Sequence, residues 1–196
     1  MNEIIEATLQ DSITVKRQFI ADNTAAITAM AQRIADAMVS GHKVLLFGNG
    51  GSAADAQHLA AEFVNRFVIE RHPLAAIALT TDTSILTSIG NDYSFEEVFS
   101  KQVRALGRPD DVAVGISTSG NSPNVIAAMT AATAQGLTTI GFSGAGGRLP
   151  EVSDLCLTVP SPTTARVQEC HILAGHIICD LVDRILFPAA YVKGTQ

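Results

Sequence analysis

The sequence has little of what marks several large classes of protein. It contains only three cysteines, Cys156, Cys170 and Cys179, and none of them form a CxxC pair. Neither a disulfide framework nor a thiolate zinc site is therefore indicated, and we expect buried, reduced thiols. No apolar run approaches the ~20 residues that span a bilayer, and the start of the chain is acidic where a secretory signal is basic. These absences predict a cytoplasmic protein without a membrane partner.

Basic residues are also scarce, with 13 Lys and Arg against 19 Asp and Glu and a formal net charge of -6. Binding to a phosphate backbone draws on clustered Lys and Arg, so nucleic acid is not expected as a partner. Internal repeats and low-complexity linkers are absent as well. The 196 residues, 47% of them hydrophobic, fit one compact domain with a sizeable core.

Short apolar runs alternate with helical patterns along the chain, which is typical of an α/β fold. Residues 1–40 are predicted to form two N-terminal helices, broken near Asp22 and capped again by Asn23 or Thr24. Residues 41–196 then form the rest of the same domain. The predicted strands are Lys43–Phe47, Ala75–Thr80, Val112–Ile116, Thr138–Phe142 and Leu155–Val159. Continuous apolar strands separated by helices predict a five-stranded parallel sheet flanked by helices, a flavodoxin-like three-layer arrangement.

The glycine-rich segment from Gly48 to Ser52 follows the first predicted strand and precedes an alanine-rich helix. Glycines allow a sharp turn and a close approach of backbone N–H groups to a ligand, and Ser52 is predicted to cap the helix. Ala53 stands where a dinucleotide fingerprint needs its third glycine, and the chain has no Walker Gly-Lys-Ser/Thr. The segment therefore predicts a ligand site but gives little support to nucleotide binding.

A second turn of this kind follows the strand at Val112–Ile116 and carries four hydroxyl side chains. These are Ser117, Thr118, Ser119 and Ser122. Hydroxyl donors, backbone amides and the positive end of a helix suit a phosphate dianion, although such serine-rich turns also serve only as helix caps. In a parallel sheet both loops lie beyond the carboxyl ends of strands, where ligands bind.

Two predicted helices carry candidate ligands and proton carriers. His58 and Glu62 are spaced i to i+4, which places both side chains on one helix face within reach of one metal or substrate. The same spacing also occurs in pairs that form only a surface hydrogen bond. The last predicted helix, Ala165–Phe187, carries Gln168 and His176 beside an apolar stripe. His171 lies about 60° from the face of Gln168 and is interpreted as a satisfied, partly buried histidine.

Together these motifs make the sequence resemble the sugar isomerase (SIS) domain proteins, and within them the phosphoheptose isomerases. The resemblance covers nearly the whole chain. Its markers are Gly48–Ser52, Gln57-His58, Glu62, Gly90-Asn91-Asp92, Ile116–Ser122, Val167–His171 and His176. It implies interconversion of sedoheptulose 7-phosphate and D-glycero-D-manno-heptose 7-phosphate through an enediol, the first step toward the ADP-heptose of lipopolysaccharide cores. It also implies a cytoplasmic homotetramer.

The resemblance further implies roles for individual residues. Ser117, Thr118, Ser119 and Ser122 would hold the phosphate; Asn49, Gly50, Gly51, Asn91 and Asp92 would line the sugar; Glu62 and His176 would transfer protons. One zinc ion per subunit would be bound by His58, Glu62, Gln168 and His176. Glu62 and Gln168 would also bind the substrate. Eight residues separate Gln168 from His176, roughly 12 Å along a regular helix. We therefore expect active sites at subunit interfaces.

A second class of protein shares much of this pattern, namely noncatalytic SIS-domain regulators of the DiaA type, which bind the DnaA replication initiator. These regulators lack an acidic residue at the position of Glu62, which this chain retains together with Gly51 and His176. Ala165 departs from the acidic residue that some isomerases carry three positions before the glutamine, which leaves details of substrate orientation open. The sequence favours the enzyme.

Overall fold

A computed structural model describes residues 1–192 of the chain. Its helices are α1 (Asn2–Val39), α2 (Gly51–Val64), α3 (Thr83–Asp92), α4 (Ser100–Leu106), α5 (Pro123–Ala134), α6 (Thr164–Leu186) and α7 (Pro188–Val192). Its strands are β1 (Val44–Gly48), β2 (Ala76–Ala78), β3 (Val112–Ser117), β4 (Thr138–Ser143) and β5 (Leu155–Thr158). Two short 3-10 helices, Phe95–Glu97 and Leu149–Val152, complete the connections.

The five strands form one parallel sheet in the order β2-β1-β3-β4-β5. The predicted α/β fold with its flavodoxin-like sheet is therefore confirmed. Every residue of β1 and β3 is buried, as expected for strands covered on both faces. The strand order reverses between β1 and β3, so the crevice beyond their carboxyl ends is the place where such a sheet binds ligands.

Helices cover the sheet on both sides and create two separate cores. Leu46 and Val114 pack with residues of α1, α2 and α6 on one face. Leu45 and Ala113 point to the opposite face and pack with α4 and α5. This alternation follows from the two-residue period of a strand, and it places α2 and α6 on the same side of the sheet.

The prediction of two N-terminal helices is wrong, because α1 runs unbroken from Asn2 to Val39. Asn23 is buried and does not cap a helix. Its amide donates to the carbonyl of Phe19, and it exchanges hydrogen bonds with the backbone of Thr158 on β5. Thr24 donates its hydroxyl to the carbonyl of Ile20 within the helix. Both polar side chains are thus satisfied without interrupting α1.

The remaining predicted boundaries agree to within two residues. The edge strand β2 is shorter than predicted, at Ala76–Ala78, and pairs on one side only, with β1. Among residues 1–192, no helix is both long and apolar enough to cross a bilayer.

Candidate active site at the carboxyl edge of the sheet

The two loops singled out in the sequence lie side by side at the reversal of strand order. Gly48 at the end of β1 pairs with Ile116 near the end of β3, so the loops that follow leave the sheet together. Between them they supply two helix N-termini, those of α2 and α5, whose backbone N–H groups favour an anion. This edge of the sheet is therefore a candidate anion and sugar site.

The first loop turns so tightly that α2 begins at Gly51. Gly50 precedes it with a φ of 54°, a conformation that glycine adopts at little cost. The prediction that Ser52 caps this helix is wrong, since Ser52 lies inside α2, buried, with its Cβ against Gly48. A side chain at position 48 would collide with Ser52 and with the carbonyl of Ile116, which explains the glycine there.

Three of the four predicted phosphate-binding hydroxyl residues form one cluster at the end of β3. The Oγ of Ser117 lies 2.8 Å from that of Ser122 and 3.4 Å from that of Ser119. Ser122 is the residue before α5, which begins at Pro123, so its hydroxyl lies at a positive helix end. Thr118 is in the same loop and is partly exposed.

An asparagine pair ties the two loops together. The amide of Asn49 donates to Asn124 at 2.8 Å, and the amide of Asn124 donates back to Asn49 at 2.9 Å. Asn124 is buried in the first turn of α5. Sequence reasoning identified Asn49 as a site residue but gave Asn124 no role. Its pairing fixes the position of Asn49 relative to the phosphate loop.

A third loop, residues 144–147 after β4, supports the phosphate loop from behind, and sequence reasoning did not assign it a role. A Cβ on Gly144 would meet the carbonyl oxygen of Thr118, and one on Gly147 would lie 2.6 Å from the carbonyl oxygen of Ser119. The backbone N–H of Leu149 donates to the carbonyl of Gly120 at 2.9 Å. In the sequence, this loop could have been recognised from Gly144, Gly146 and Gly147, which follow the predicted strand Thr138–Phe142.

The predicted metal ligands His58, Glu62 and His176 converge within one chain. The Nε2 atoms of the two histidines are 2.9 Å apart, and the Nε2 of His58 lies 3.2 Å from Oε1 of Glu62. All three ligand atoms lie within 4.8 Å of one another. Two imidazoles and one carboxylate are a donor set of catalytic zinc sites, which keep a further position for water or substrate. The residues therefore fit a zinc ion.

Gln168 lies about two helical turns before His176, as the sequence indicated, and its side-chain amide contacts Gly51. It occupies the space that a Cβ on Gly51 would need, so a side chain at position 51 would displace the amide of Gln168. Its role as a fourth metal ligand stays a prediction. The convergence of the other three ligands in one chain shows that those three need no second subunit, while the expected site at a subunit interface stays a prediction.

Two further side chains surround the histidine pair. Phe67 stacks on His176, with ring centroids 5.4 Å apart. Asp55 lies one turn before His58 on α2, and its buried Oδ2 has no hydrogen-bond partner within residues 1–192. Burial raises the pKa of Asp55, opposed in part by the charges of His58 and His176. The sequence analysis assigned a role at this site to neither residue.

Asn91 and Asp92 lie at the end of α3, where both are exposed. The amide of Asn91 donates to the carboxylate of Asp92 at 2.8 Å. Their role in lining the sugar stays a prediction. The three cysteines are free: Cys170 and Cys179 are buried and Cys156 is partly buried, and burial raises the pKa of the Cys156 thiol to about 12.

The prediction of a satisfied, partly buried His171 is wrong in both respects: 1% of its surface is exposed, and its Nδ1 has no hydrogen-bond partner within residues 1–192. Its Nε2 lies 3.1 Å from the carbonyl oxygen of Ser143, at the end of β4, so the neutral ring donates a hydrogen bond there. Burial lowers its pKa to about 4, although the bond to Ser143 opposes the shift. It faces Phe142 rather than the metal cluster and is a structural histidine.

The depressed pKa of His171 predicts a loss of stability in mild acid. The unfolded chain binds this proton near pH 6.5, whereas the folded chain does so only near pH 4, so the free energy of unfolding falls as pH falls through that window. The side chain of glutamine can donate to the same carbonyl and does not titrate. Between pH 7 and pH 5, we expect the parent to lose about 2 kcal/mol more than His171→Gln. Denaturant unfolding at both pH values measures this; parallel losses would contradict it.

Comparisons with known proteins agree with this architecture. A model of the SIS domain family matches residues 9–144, starting inside α1. The chain therefore belongs to the SIS domain family.

Individual relatives narrow the assignment. A phosphoheptose isomerase of Roseiflexus sp. (strain RS-1) is 59% identical over 180 residues, covering 91% of each chain. The structure of phosphoheptose isomerase GmhA from Neisseria gonorrhoeae superposes with a TM-score of 0.88 at 48% identity, covering 93% of this chain and 98% of that one. A phosphoheptose isomerase from Francisella tularensis gives 0.89 at 38% identity, covering 93% and 97%. Within the SIS family the chain is thus a member of the phosphoheptose isomerases, which are sugar-phosphate isomerases.

Proposed function

We propose that this chain interconverts D-sedoheptulose 7-phosphate and D-glycero-D-manno-heptose 7-phosphate through an enediol intermediate. This reaction is the first step of the synthesis of ADP-heptose for lipopolysaccharide cores. The single observation that carries the proposal is the cluster of His58, Glu62 and His176 beside two loops built to bind an anion. The close relatives named phosphoheptose isomerase support it.

The two loops would hold the substrate at both ends. The hydroxyls of Ser117, Ser119 and Ser122, with the N-terminus of α5, suit the phosphate, and Thr118 lies in the same loop. A phosphate bound there would leave the rest of the sugar to reach the neighbouring glycine turn after β1 and the amide of Gln168. Asn49, Gly50 and Gly51 would then contact the sugar, joined by Asn91 and Asp92.

Proton transfer would be the work of Glu62 and His176. Isomerisation removes a proton from C1 and returns one at C2, which requires a base and an acid with pKa values near the operating pH. A histidine side chain ordinarily titrates near neutral pH, and His176 would exchange a proton only while its nitrogen is not bound to zinc. A carboxylate has two oxygens, so Glu62 can face His58 with Oε1 and leave the other for the substrate.

Zinc is the proposed cofactor, one ion per subunit, held by His58, Glu62 and His176 with Gln168 as the proposed fourth ligand. When bound, it would polarise the carbonyl and hydroxyl oxygens of the sugar and stabilise the enediolate. Two imidazoles and a carboxylate within 4.8 Å support this.

A homotetramer in the cytoplasm, with active sites at subunit interfaces, completes the proposal. Exposed apolar side chains support an assembly, because monomers seldom expose many of them together. The first turns of α1 carry Ile4, Ile5 and Leu9, which are 68%, 68% and 51% exposed. Analytical ultracentrifugation of the full chain measures the oligomeric state.

The proposed activity is tested by incubating the purified protein with sedoheptulose 7-phosphate and following the aldose by NMR. Zinc-loaded protein and protein treated with a chelator are compared, and a shorter ketose phosphate, fructose 6-phosphate, serves as the specificity control. We expect turnover of the heptose that falls on chelation and returns with zinc. A folded, zinc-loaded protein that turns over neither sugar would contradict the proposal and favour the regulator alternative. Turnover of the hexose alone would reject the heptose assignment.

A further inference from the structure

Helices α2 and α6 carry the whole metal cluster, and they lie side by side in the same direction. Their contacts follow a common register. Near the start of α6, Gln168 contacts Gly51, the first residue of α2. In the middle, Gly175 contacts Leu59 and His176 contacts His58. Toward the end of α6, Asp183 pairs with Arg71, whose side chain reaches the last turn of α2. The separation of these two helices therefore sets the distance between the ligands on one and the ligand on the other.

Arg71 joins the end of α2 to α6. Its side chain is 2% exposed and that of Asp183 is 1% exposed, and its Nε donates to Oδ1 of Asp183 at 2.7 Å. Its Nη1 and Nη2 donate to the carbonyls of Phe63 and Glu62, each at 2.9 Å. These carbonyls belong to the last turn of α2, where helical partners run out. One guanidinium thus holds the backbone of Glu62 and a carboxylate of α6 together.

Asp183 lies seven residues after His176, two turns along the same face of α6. Its other oxygen, Oδ2, is buried without a hydrogen-bond partner within residues 1–192. Burying a carboxylate oxygen without a hydrogen-bond partner lowers the stability of the folded chain. A buried ion pair by itself is also weak evidence for a gain in stability. A gain in stability therefore does not account for the buried Arg71–Asp183 ion pair.

Gly175 permits the close approach at the middle of the same helix pair. A Cβ at this position would lie 2.6 and 2.7 Å from the two methyl carbons of Leu59. Leu59 and Gly175 are the chain neighbours of His58 and His176. A larger residue would push the helices apart where the imidazoles meet.

We propose that the Arg71–Asp183 ion pair, together with Gly175, positions the metal cluster by fixing the separation of α2 and α6. These are positioning residues, because they act through Glu62, His58 and His176 and touch neither metal nor substrate. The importance of the cluster rests on the proposed function, but the positioning itself is a property of the folded chain. It is therefore measurable both with and without metal.

The main test replaces the pair by apolar residues, Arg71→Met with Asp183→Leu, in the full chain. Apolar replacement of a buried pair is often neutral for stability, but it also removes the donor to the carbonyl of Glu62. We therefore expect a loss of about 1 kcal/mol, which lowers the Tm by about 2–4 °C in a chain of this size. Zinc affinity, measured by calorimetric titration, is expected to fall about 10- to 100-fold, the usual effect of losing support around metal ligands. We expect kcat to fall by a similar factor while KM changes less than about threefold, because the phosphate loop is untouched.

The matched control removes an ion pair from the exposed face of the same helix. Arg184 donates to Asp180 at 2.8 Å and is 53% exposed, so Arg184→Met with Asp180→Leu should leave zinc affinity and kcat at parental values. Arg71→Lys is the conservative variant. Lysine keeps a positive charge for Asp183, but its ammonium group cannot donate to two carbonyls and a carboxylate in the fixed planar arrangement of a guanidinium. Zinc affinity should therefore fall in this variant as well.

A metal-free measurement separates this inference from the proposed function. In the parent, the Nε2 atoms of His58 and His176 are 2.9 Å apart, so one ring donates a hydrogen bond to the other. The ¹⁵N chemical shifts of the two rings report this hydrogen bond in NMR. The paired variant should change those shifts in chelated protein, even if the parent neither binds zinc nor isomerises a sugar. Unchanged shifts with parental zinc affinity would overturn the inference and leave the proposed function intact.

Gly175→Ala decides the matter if the paired variant does not fold. Alanine favours a helix interior over glycine by about 1 kcal/mol, so any loss must come from the contact with Leu59. We expect altered histidine shifts and weaker zinc binding; parental values of both would overturn the inference.

Discussion

Replacing Glu62 by glutamine is expected to lower kcat for sedoheptulose 7-phosphate by about 10²- to 10⁴-fold, the range for loss of a general acid or base. The amide keeps the size of the side chain but cannot accept a proton at neutral pH, and it weakens the set of His58, Glu62 and His176 as ligands for a cation. The side chain is 22% exposed, so its loss as a charge should affect chemistry more than folding. Steady-state kinetics followed by NMR, together with the zinc content of each protein, provide the measurement.

The control for this variant is Glu151→Gln, an exposed glutamate in the short helix Leu149–Val152. It makes the same chemical change at an exposed residue outside α2 and α6, and parental kcat is expected. If Glu62→Gln turned over within threefold of the parent, Glu62 would have no place in proton transfer. The proposed chemistry would then fall to His176 alone.

Gly147→Ala is expected to have a large structural effect near the phosphate loop. Gly147 has a φ of 94°, and a Cβ there would lie 2.6 Å from the carbonyl oxygen of Ser119 and from the carbonyl carbon of Gly120. A strained φ costs about 1–3 kcal/mol and a forced contact about 1–3 kcal/mol. The free energy of unfolding should therefore fall by about 2–6 kcal/mol, and KM should rise at least about tenfold as the phosphate loop shifts.

The adjacent Gly146 is the matched control, since a Cβ there meets nothing within 4 Å and its φ is not in the left-handed region. Gly146→Ala should be neutral or stabilise slightly, by up to about 1 kcal/mol, because alanine restricts the unfolded chain. Denaturant unfolding and KM for both variants complete the comparison. Equal effects at the two positions would show that the loop does not support Ser119 and Gly120 by contact.

Much of the site was predictable because its signals are local. The i to i+4 spacing of His58 and Glu62 places both on one face of α2 whatever the rest of the chain does, and the distance between their side chains agrees. The hydroxyl-rich turn at the end of β3 likewise predicted a cluster of hydroxyl groups, and the Oγ atoms of Ser117 and Ser122 are in contact. The error over Asn23 has the opposite cause. Asparagine is a frequent helix cap, but here a strand 135 residues away satisfies its side chain inside an unbroken helix.

The sequence by itself determined the five apolar strands, the loops that follow them, and the residue types that suit a phosphosugar, since strand burial and turn chemistry depend on neighbouring residues. Only the tertiary structure decided that His176 meets His58 across 118 positions, that Gly144 and Gly147 pack against the phosphate loop, and that Arg71 ties Glu62 to Asp183. Such contacts depend on how closely two elements pack, a matter of shape that no periodicity along one segment records.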